Sequence, residues 1–181
     1  MSFLGLFESP PKQKSRTCQG TQFEIFVEKL FRHYYSGIQR NTVFEVRRGK
    51  QKIHTSQIDI CCNLGHFYSL KDKYGLFELK YSNEFTINED AVGQLLRSCY
   101  NLARRQSRIE VEPVAVVTNR DFTSGARGLA AKYNVRLING KELQIMRDEK
   151  SWFSKQTIDE EIRAVNVRRY RTAPNYVHVH T

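Results

Sequence analysis

The chain has 181 residues, 40% hydrophobic and 27% charged, and its 29 Lys and Arg against 19 Asp and Glu leave a formal net charge of +10. A chain this long buries roughly 70% of its unfolded surface on folding, so length and composition fit one soluble globular domain and exclude a disordered segment. No apolar run approaches the roughly 18 residues of a membrane span, and the four cysteines, Cys18, Cys61, Cys62 and Cys99, lack the C-x-x-C pairing of a structural zinc site or the density of a disulfide scaffold.

Residues 1–19, with Pro10-Pro11, Lys12, Lys14 and Arg16, read as a basic, poorly ordered arm. Thr21 and Glu24 have the form of a capping box. Phe23, Phe26, Val27, Leu30, Phe31 and Tyr34 follow at three- and four-residue steps, which predicts an amphipathic helix starting at Thr21. Thr42 to Arg47 reads as a strand, the polar and basic stretch Arg48 to Ser56 as a loop, and Gln57 to Leu64 as a second strand. Gly65 and Lys71 to Gly75 separate it from a third, Leu76 to Ser82, which makes an antiparallel meander. A second helix is predicted from Glu89 to Arg105, capped by Thr86 or Asn88.

The continuous apolar run Pro113 to Thr118 suits a strand buried on both faces. Thr123 caps a short helix through Ala126, Leu129, Ala130 and Tyr133, and Val135 to Ile138 forms another strand, which implies a parallel crossover. A further helix starts near Lys141. Beyond Lys150, Trp152, Phe153, Ile158, Ile162 and Val165 suggest a docked helix, and Asn166 to Thr181 a basic aromatic tail. The division expected is therefore an arm at 1–19, a catalytic domain at 20–149, and a C-terminal helix and tail at 150–181.

Basic residues outnumber acidic ones by 10 to 4 over residues 1–56 and 6 to 3 over 150–181, against 13 to 12 between them. A polyanion partner suits such ends, because neutralised phosphates release counterions; a solvated surface accounts for them equally well. Arg47, Arg48, Lys50 and Lys52 are expected at the rim of the site between the first two strands, as phosphate contacts. Arg97 and Arg105 are expected to form a second basic stripe on the helix after the third strand.

Strand parity puts Gln57, Asp59 and Cys61 on one face, and Leu76, Glu78 and Lys80 on one face of the next strand. Charges between Ile58 and Ile60, or between Phe77 and Leu79, are costly unless paired or bound to a metal. If the strands are neighbours with these faces matched, the three converge. Two carboxylates suit Mg²⁺, which also takes substrate phosphate and polarises it, and a lysine beside them positions water and stabilises transition-state charge. An ordinary salt bridge from Lys80 to Asp59 or Glu78 is the alternative. Asp148-Glu149-Lys150 repeats the triplet, without an apolar strand around it. His178 and His180 have metal-like spacing but no third ligand, and His66, Ser82 and Asp121 gain no partner from the sequence.

From Gly20 to Leu143 the motifs resemble the PD-(D/E)XK nuclease superfamily, most closely its Mrr-like restriction endonuclease branch. The residues that carry the likeness are Gly20-Thr21-Gln22-Phe23-Glu24, Gln57-Ile58-Asp59-Ile60, Gly75-Leu76-Phe77-Glu78-Leu79-Lys80-Tyr81 and Val116-Val117-Thr118-Asn119. Phe122-Thr123, Ala126-Arg127, Leu129-Ala130, Val135 to Ile138, Gly140 and Glu142-Leu143 continue it. The resemblance implies an α/β restriction-endonuclease-like three-layer fold, a mixed central sheet flanked by helices in the order αβββαβαβ. It implies a Mg²⁺- or Mn²⁺-dependent DNA endonuclease with Asp59 and Glu78 as metal ligands and Lys80 beside the water. Gln94 matches a glutamine near such sites, and Glu24 offers a distant carboxylate, although its capping role explains it equally.

Two departures stand out: His54-Thr55-Ser56-Gln57 replaces a glycine-rich turn before the aspartate, and Glu78 stands where Mrr-like enzymes often carry glutamine, closer to RecB-like and junction-resolving nucleases. The expected partner is DNA, with a homodimer or a separate partner supplying specificity, and no membrane. An intracellular place in cytoplasm or nucleoid is expected. Mitochondria are the alternative in a eukaryote, though Glu8 and Pro10-Pro11 make a poor targeting helix. The competing functions are an inactive nucleic-acid-binding module on the same fold, and a basic scaffold protein.

Overall fold

A computed structural model describes residues 16–65, 72–105, 109–150, 156–170 and 173–180. The arm's Lys12 and Lys14, and likewise His66, Lys71, Arg108, Trp152 and Phe153, lie outside the described residues. Helix α1 (Arg16–Phe31) carries the apolar stripe but begins before Thr21. No proline interrupts Arg16 to Gly20, so the helix runs through the expected cap, and residues 16–19 belong to it rather than to an arm. Glu24 is thereby freed from capping.

β1 (Gln39–Arg48) and β2 (Gln51–Asn63) form a long hairpin that turns at Gly49, whose φ of +59° suits glycine. The stretch from Gln51 to Ser56, expected as loop, is strand. Its polar side chains are tolerated because the ladder to β1 satisfies the backbone while one face of the ribbon stays wet. β3 (Asp72–Lys80) continues the meander antiparallel to β2. Gly75 lies inside it rather than in a turn: a Cβ there would stand 2.6 Å from Val114 Cγ2 and 2.8 Å from Cys62 Sγ.

α2 (Glu89–Arg105) has its predicted bounds, and Asn88 rather than Thr86 accepts from the Asp90 N–H at 3.3 Å. β4 (Ile109–Thr118) runs parallel to β3 and starts upstream of Pro113, which sits beside a break in register. Thr123 caps α3 (Ser124–Lys132) by accepting from the Ala126 N–H at 3.2 Å, and β5 (Arg136–Ile138) completes a parallel crossover. α4 (Gly140–Lys150) follows, then α5 (Ile158–Ala164), capped by Thr157 and Glu160 in a capping box. The expected tail instead forms a 3₁₀ turn at Val167–Arg169 and β6 (Asn175–His180), which pairs parallel with β1. With alternate residues Val177 and Val179 packed inward, the end of the chain has a strand's pattern as well as a charged composition. Of the described residues beyond 150, Asn175–His180 are therefore built into the same sheet.

The six strands stand in the order β5-β4-β3-β2-β1-β6, a mixed sheet between two helical layers. Phe23, Val27 and Phe31 of α1, Leu143 and Met146 of α4, and Ile158 and Ile162 of α5 cover one face over Ile60, Cys62, Phe77 and Leu79. Val92, Leu95, Cys99 and Leu102 of α2, with Ala126 and Ala130 of α3, cover the other over Cys61, Leu76 and Val116. Cys61, Cys62 and Cys99 are free and buried, as small hydrophobes. No described helix is long and apolar enough to cross a membrane.

The end of β4 and the start of α4 approach so closely that a Cβ on Gly140 would lie 2.4 Å from the Asn119 carbonyl oxygen. Backbone cannot yield as a flexible side chain does, so Gly140→Ala is expected to lower stability by about 2 kcal/mol or more, read as a reduced urea midpoint at unchanged slope.

Candidate active site

The β2–β3 ladder runs from Asn63 opposite Tyr74 to Ile60 opposite Phe77 and stops. Beyond it β2 stays with β1 and β3 stays with β4, so the strands part. Asp59 and Glu78 are the first residues past the last pair and sit at the fork. Asp59 Oδ2 accepts from the Leu79 N–H at 2.9 Å, tying the two strands where the ladder ends.

Face alternation also slips here. Ile58 and Cys61 belong to the core on the α2 side, while Ile60 and Cys62 belong to the core on the α1 side. Opposite Asp59, between the pairs Arg40–Ile60 and Thr42–Ile58, Asn41 has a φ of +51°, a left-handed conformation that asparagine tolerates better than most residues. Its side-chain carbonyl accepts from Gln57 Nε2 at 2.8 Å. The fold thus brings together Asp59, Glu78 and Lys80, as parity predicts, and the kink lets Asp59 sense groups on both sides of the sheet.

On the α2 side, Lys80 Nζ lies 2.6 Å from Glu78 Oε1 and donates to Gln94 Oε1 at 3.0 Å. Glu78 is 5% exposed, whereas about a third of the Lys80 side chain meets solvent. Glu78 Oε1 is thus buried with the Lys80 ammonium as its close partner. Burial, reinforced by the charge of Asp59 and opposed by Lys80, raises the Glu78 carboxyl to about 7. Burial likewise raises Asp59, against the Leu79 N–H and Lys80.

On the α1 side, Glu24 is also raised to about 7, by burial and then by the charge of Asp59, with Arg40 pulling the other way. Arg40, a residue the sequence reading missed, is almost wholly buried. Its Nε donates to Glu28 Oε2 at 3.0 Å, and its Nη1 is 3.5 Å from Glu24 Oε2. Two glutamates four apart on a helix, followed by one arginine at the start of the first strand, were the available signal. Removing one partner of a buried ion pair leaves charge uncompensated, so Arg40→Met is expected to cost roughly 3 kcal/mol, measured by urea unfolding at pH 8.

The segment after Lys80 is clamped. Asn119 Oδ1 accepts from the Ser82 N–H and Asn119 Nδ2 donates to the Ser82 carbonyl, each at 2.9 Å, while Arg120 Nε donates to the same carbonyl at 3.1 Å. Asn119 Nδ2 also reaches Asp159 Oδ1 at 3.0 Å, so α5 braces the clamp. Ser82 and Asp121, without partners in the sequence reading, both acquire them: Asp121 accepts from Arg127, from Asn139 Nδ2 and from the Phe122 N–H.

The hairpin cations are not at the rim. Lys52 is seven residues along β2 from Asp59, roughly 23 Å at strand rise, and Arg47 pairs opposite it. Both are drawn to the buried Glu45, with Lys52 Nζ at 3.6 Å and Arg47 in direct contact. Arg48 and Lys50 at the tip are exposed and make no ion pair among the described residues. The extra strand length carried all four away from the fork. Arg97 is exposed on α2, one turn beyond Gln94, and Arg105 ends that helix with its side chain outside the described residues. His178 lies 3.8 Å from Glu45 and stacks on Tyr176.

Among the described residues no three His, Cys, Asp or Glu side chains form a ready-made metal cluster. The fork nevertheless fits a hard divalent cation. It offers hard carboxylate oxygens: the three carboxylates of Glu24, Asp59 and Glu78 outnumber the two cations placed against them among the described residues, Lys80 and an Arg40 already shared with Glu28. Mg²⁺ is commonly held by one or two carboxylates, completing its shell with water and phosphate.

Residues 15–146 match the Mrr_cat family, described as restriction endonuclease. No curated protein matches the chain. Two solved structures are similar. The protein of unknown function AF1548 aligns at 15% identity and a TM-score of 0.43, over 80% of this chain and 77% of its own. The MspJI restriction endonuclease, solved with a 27-mer oligonucleotide, aligns at 14% identity and a TM-score of 0.39, over 80% of this chain and 36% of its own.

Proposed function

For a chain that belongs to the Mrr catalytic family of restriction endonucleases, we propose divalent-metal-dependent hydrolysis of DNA phosphodiester bonds at the β2–β3 fork, within the strand rather than from its ends. The observation that carries this reading is the convergence of Asp59, Glu78 and Lys80 at the point where the two strands separate. Asp59 and Glu78 would hold Mg²⁺ or Mn²⁺. The bound ion polarises the phosphoryl oxygen and offsets its growing negative charge.

The protein's own groups do the rest. The Leu79 N–H fixes one oxygen of Asp59. Gln94 and Glu78 hold the Lys80 ammonium at the boundary between buried carboxylates and solvent. From there it orients a water against phosphorus and stabilises charge as the P–O ester bond breaks. Arg97, on the exposed face of α2 beyond Gln94, lies where the DNA backbone would pass; Arg48 and Lys50 serve as distant grips. Selectivity is assigned to a second copy or a partner. An intracellular site of action follows from the substrate.

The test is cleavage of supercoiled and linear DNA by the full chain in Mg²⁺, in Mn²⁺ and in EDTA, with Asp59→Ala alongside. Metal-dependent nicking or linearisation, lost in the variant, is expected. Salt-dependent binding without cleavage in any metal would establish the inactive binding module instead.

A further inference from the structure

Phe85, five residues past Lys80, is 71% exposed on a loop pinned at both ends. At one end Ser82 Oγ accepts from the Phe85 N–H at 2.9 Å and from the Glu84 N–H at 3.3 Å, below the Asn119 and Arg120 clamp, and Arg120 Nη2 donates to the Asn83 carbonyl at 2.6 Å. At the other, the Ile87 N–H donates to the Asp121 carbonyl at 2.8 Å, and the Ile87 carbonyl accepts from the Thr123 N–H at 3.0 Å. A backbone so held spends little further entropy on presenting a ring. The ring adds nothing to the core and stands in water on a fixed loop near Lys80, where a partner outside the fold can reach it.

Thr86 and Ile87, the next two residues of the chain, line a cavity of about 440 Å³ together with Lys80, Asn88, Asp90 and Gln94. It shares Lys80 and Gln94 with the fork. Among the described residues that line it Lys80 is the one cation, and that ammonium is already turned to Glu78 and Gln94. A second phosphate would meet Asp90 there. A nucleobase would not be repelled by that carboxylate: its flat face matches an exposed phenyl ring, and a carboxylate or amide oxygen accepts from an exocyclic amino group, as acidic side chains do from cytosine. Asn88 Nδ2 holds Asp90 Oδ2 at 3.0 Å, steadying that acceptor.

We propose that Phe85 and the cavity beside Lys80 take an unstacked, amino-bearing base of the substrate, adenine or cytosine, so that the preferred DNA carries an unpaired or distorted nucleotide next to the cut. This rests on the nuclease reading of the fork and specifies its substrate. Phe85 stacks, Asp90 and Asn88 meet the base edge, and the phosphate attached to that nucleotide is delivered to Lys80.

The experiment compares binding, by fluorescence anisotropy in EDTA, of a fully paired duplex and the same duplex with one unpaired adenine. Wild type is expected to favour the bulged duplex by roughly 10-fold or more, the scale of one base–aromatic stack. Phe85→Ala should erase the preference and Phe85→Trp keep it. Tyr133→Ala, which removes another exposed aromatic at the far end of α3, should also keep it. Asp90→Ala should narrow discrimination between unpaired adenine and unpaired thymine. Equal binding of both duplexes by wild type, or a preference that survives Phe85→Ala, overturns the proposal. Cleavage without any preference sinks this inference and leaves the nuclease reading standing; a Phe85-dependent preference without cleavage does the reverse.

Discussion

Lys80→Ala is expected to slow single-turnover plasmid cleavage in saturating Mg²⁺ by about 10²- to 10³-fold, the usual cost of removing one preorganised charge donor from a transition state. Lys80 is partly solvated and its neighbours Glu78 and Gln94 are held by separate elements, so the fold should survive. Metal affinity separates its role from that of Asp59. Asp59→Ala removes a ligand and should weaken Mn²⁺ binding together with cleavage. Lys80→Ala removes a cation from beside the carboxylates and should leave binding equal or tighter while turnover collapses. Lys80→Ala cleaving at the wild-type rate would show that the ammonium is only a salt-bridge partner, the alternative left open by the sequence.

Without metal, the protein is expected to be most stable near pH 5 and to lose stability toward pH 8. Glu24 and Glu78 release their protons near 7 when folded, against 4.5 for an unperturbed glutamate. A carboxyl raised on folding contributes stability that is complete below its unfolded pKa and lost as pH climbs through its folded one. At about 1.4 kcal/mol per unit, each contributes a loss on the order of 3 kcal/mol, and Asp59 shifts in the same direction. Toward acid, the carboxyls of Asp121 and Glu160, lowered by backbone N–H donors, lose their contribution as pH falls below the usual carboxylate range. The readout is the thermal midpoint between pH 4 and 8.5. Adding Mn²⁺ should raise it chiefly above pH 7, where the ion no longer competes with protons, and Glu78→Gln should flatten the alkaline decline. A metal-free midpoint unchanged from pH 5.5 to 8 would contradict the burial of these charges. Cleavage should rise through the same interval.

Most elements were legible because periodicity reports burial. Phe23 to Phe31, Val92 to Leu102 and Pro113 to Thr118 each declare a face or a core, and α2 kept its predicted bounds. Asp59, Glu78 and Lys80 were legible because charge inside an apolar strand demands a partner. The hairpin misled because its outer half is polar on both sides: the β1 ladder, not burial, makes Gln51 to Ser56 a strand, and ladders leave no mark in composition. Thr21 looked like a cap because its spacing to Glu24 is also the spacing of any two residues one helical turn apart. Arg40 was missed for a different reason. Its partners sit on another element, and only the folded chain brings Glu24 and Glu28 to it.

The pairing of β6 with β1 sets an order of events in assembly. Thr42 lies beside Asn175 in the sheet, so this contact closes a loop of well over a hundred residues, whereas β1 to β3 form from near neighbours. During synthesis the β2–β3 fork and helices α1 to α4 can assemble while the outer edge of β1 still presents an unpaired row of N–H and C=O groups. Such an edge is a template for intermolecular pairing, and long-range closure is slow. A nascent or truncated chain ending near residue 150 therefore carries the residues of the fork and an aggregation-prone flank, without α5 and its brace on Asn119. The histidine- and valine-bearing strand that looked like a tail acts as the guard against self-association.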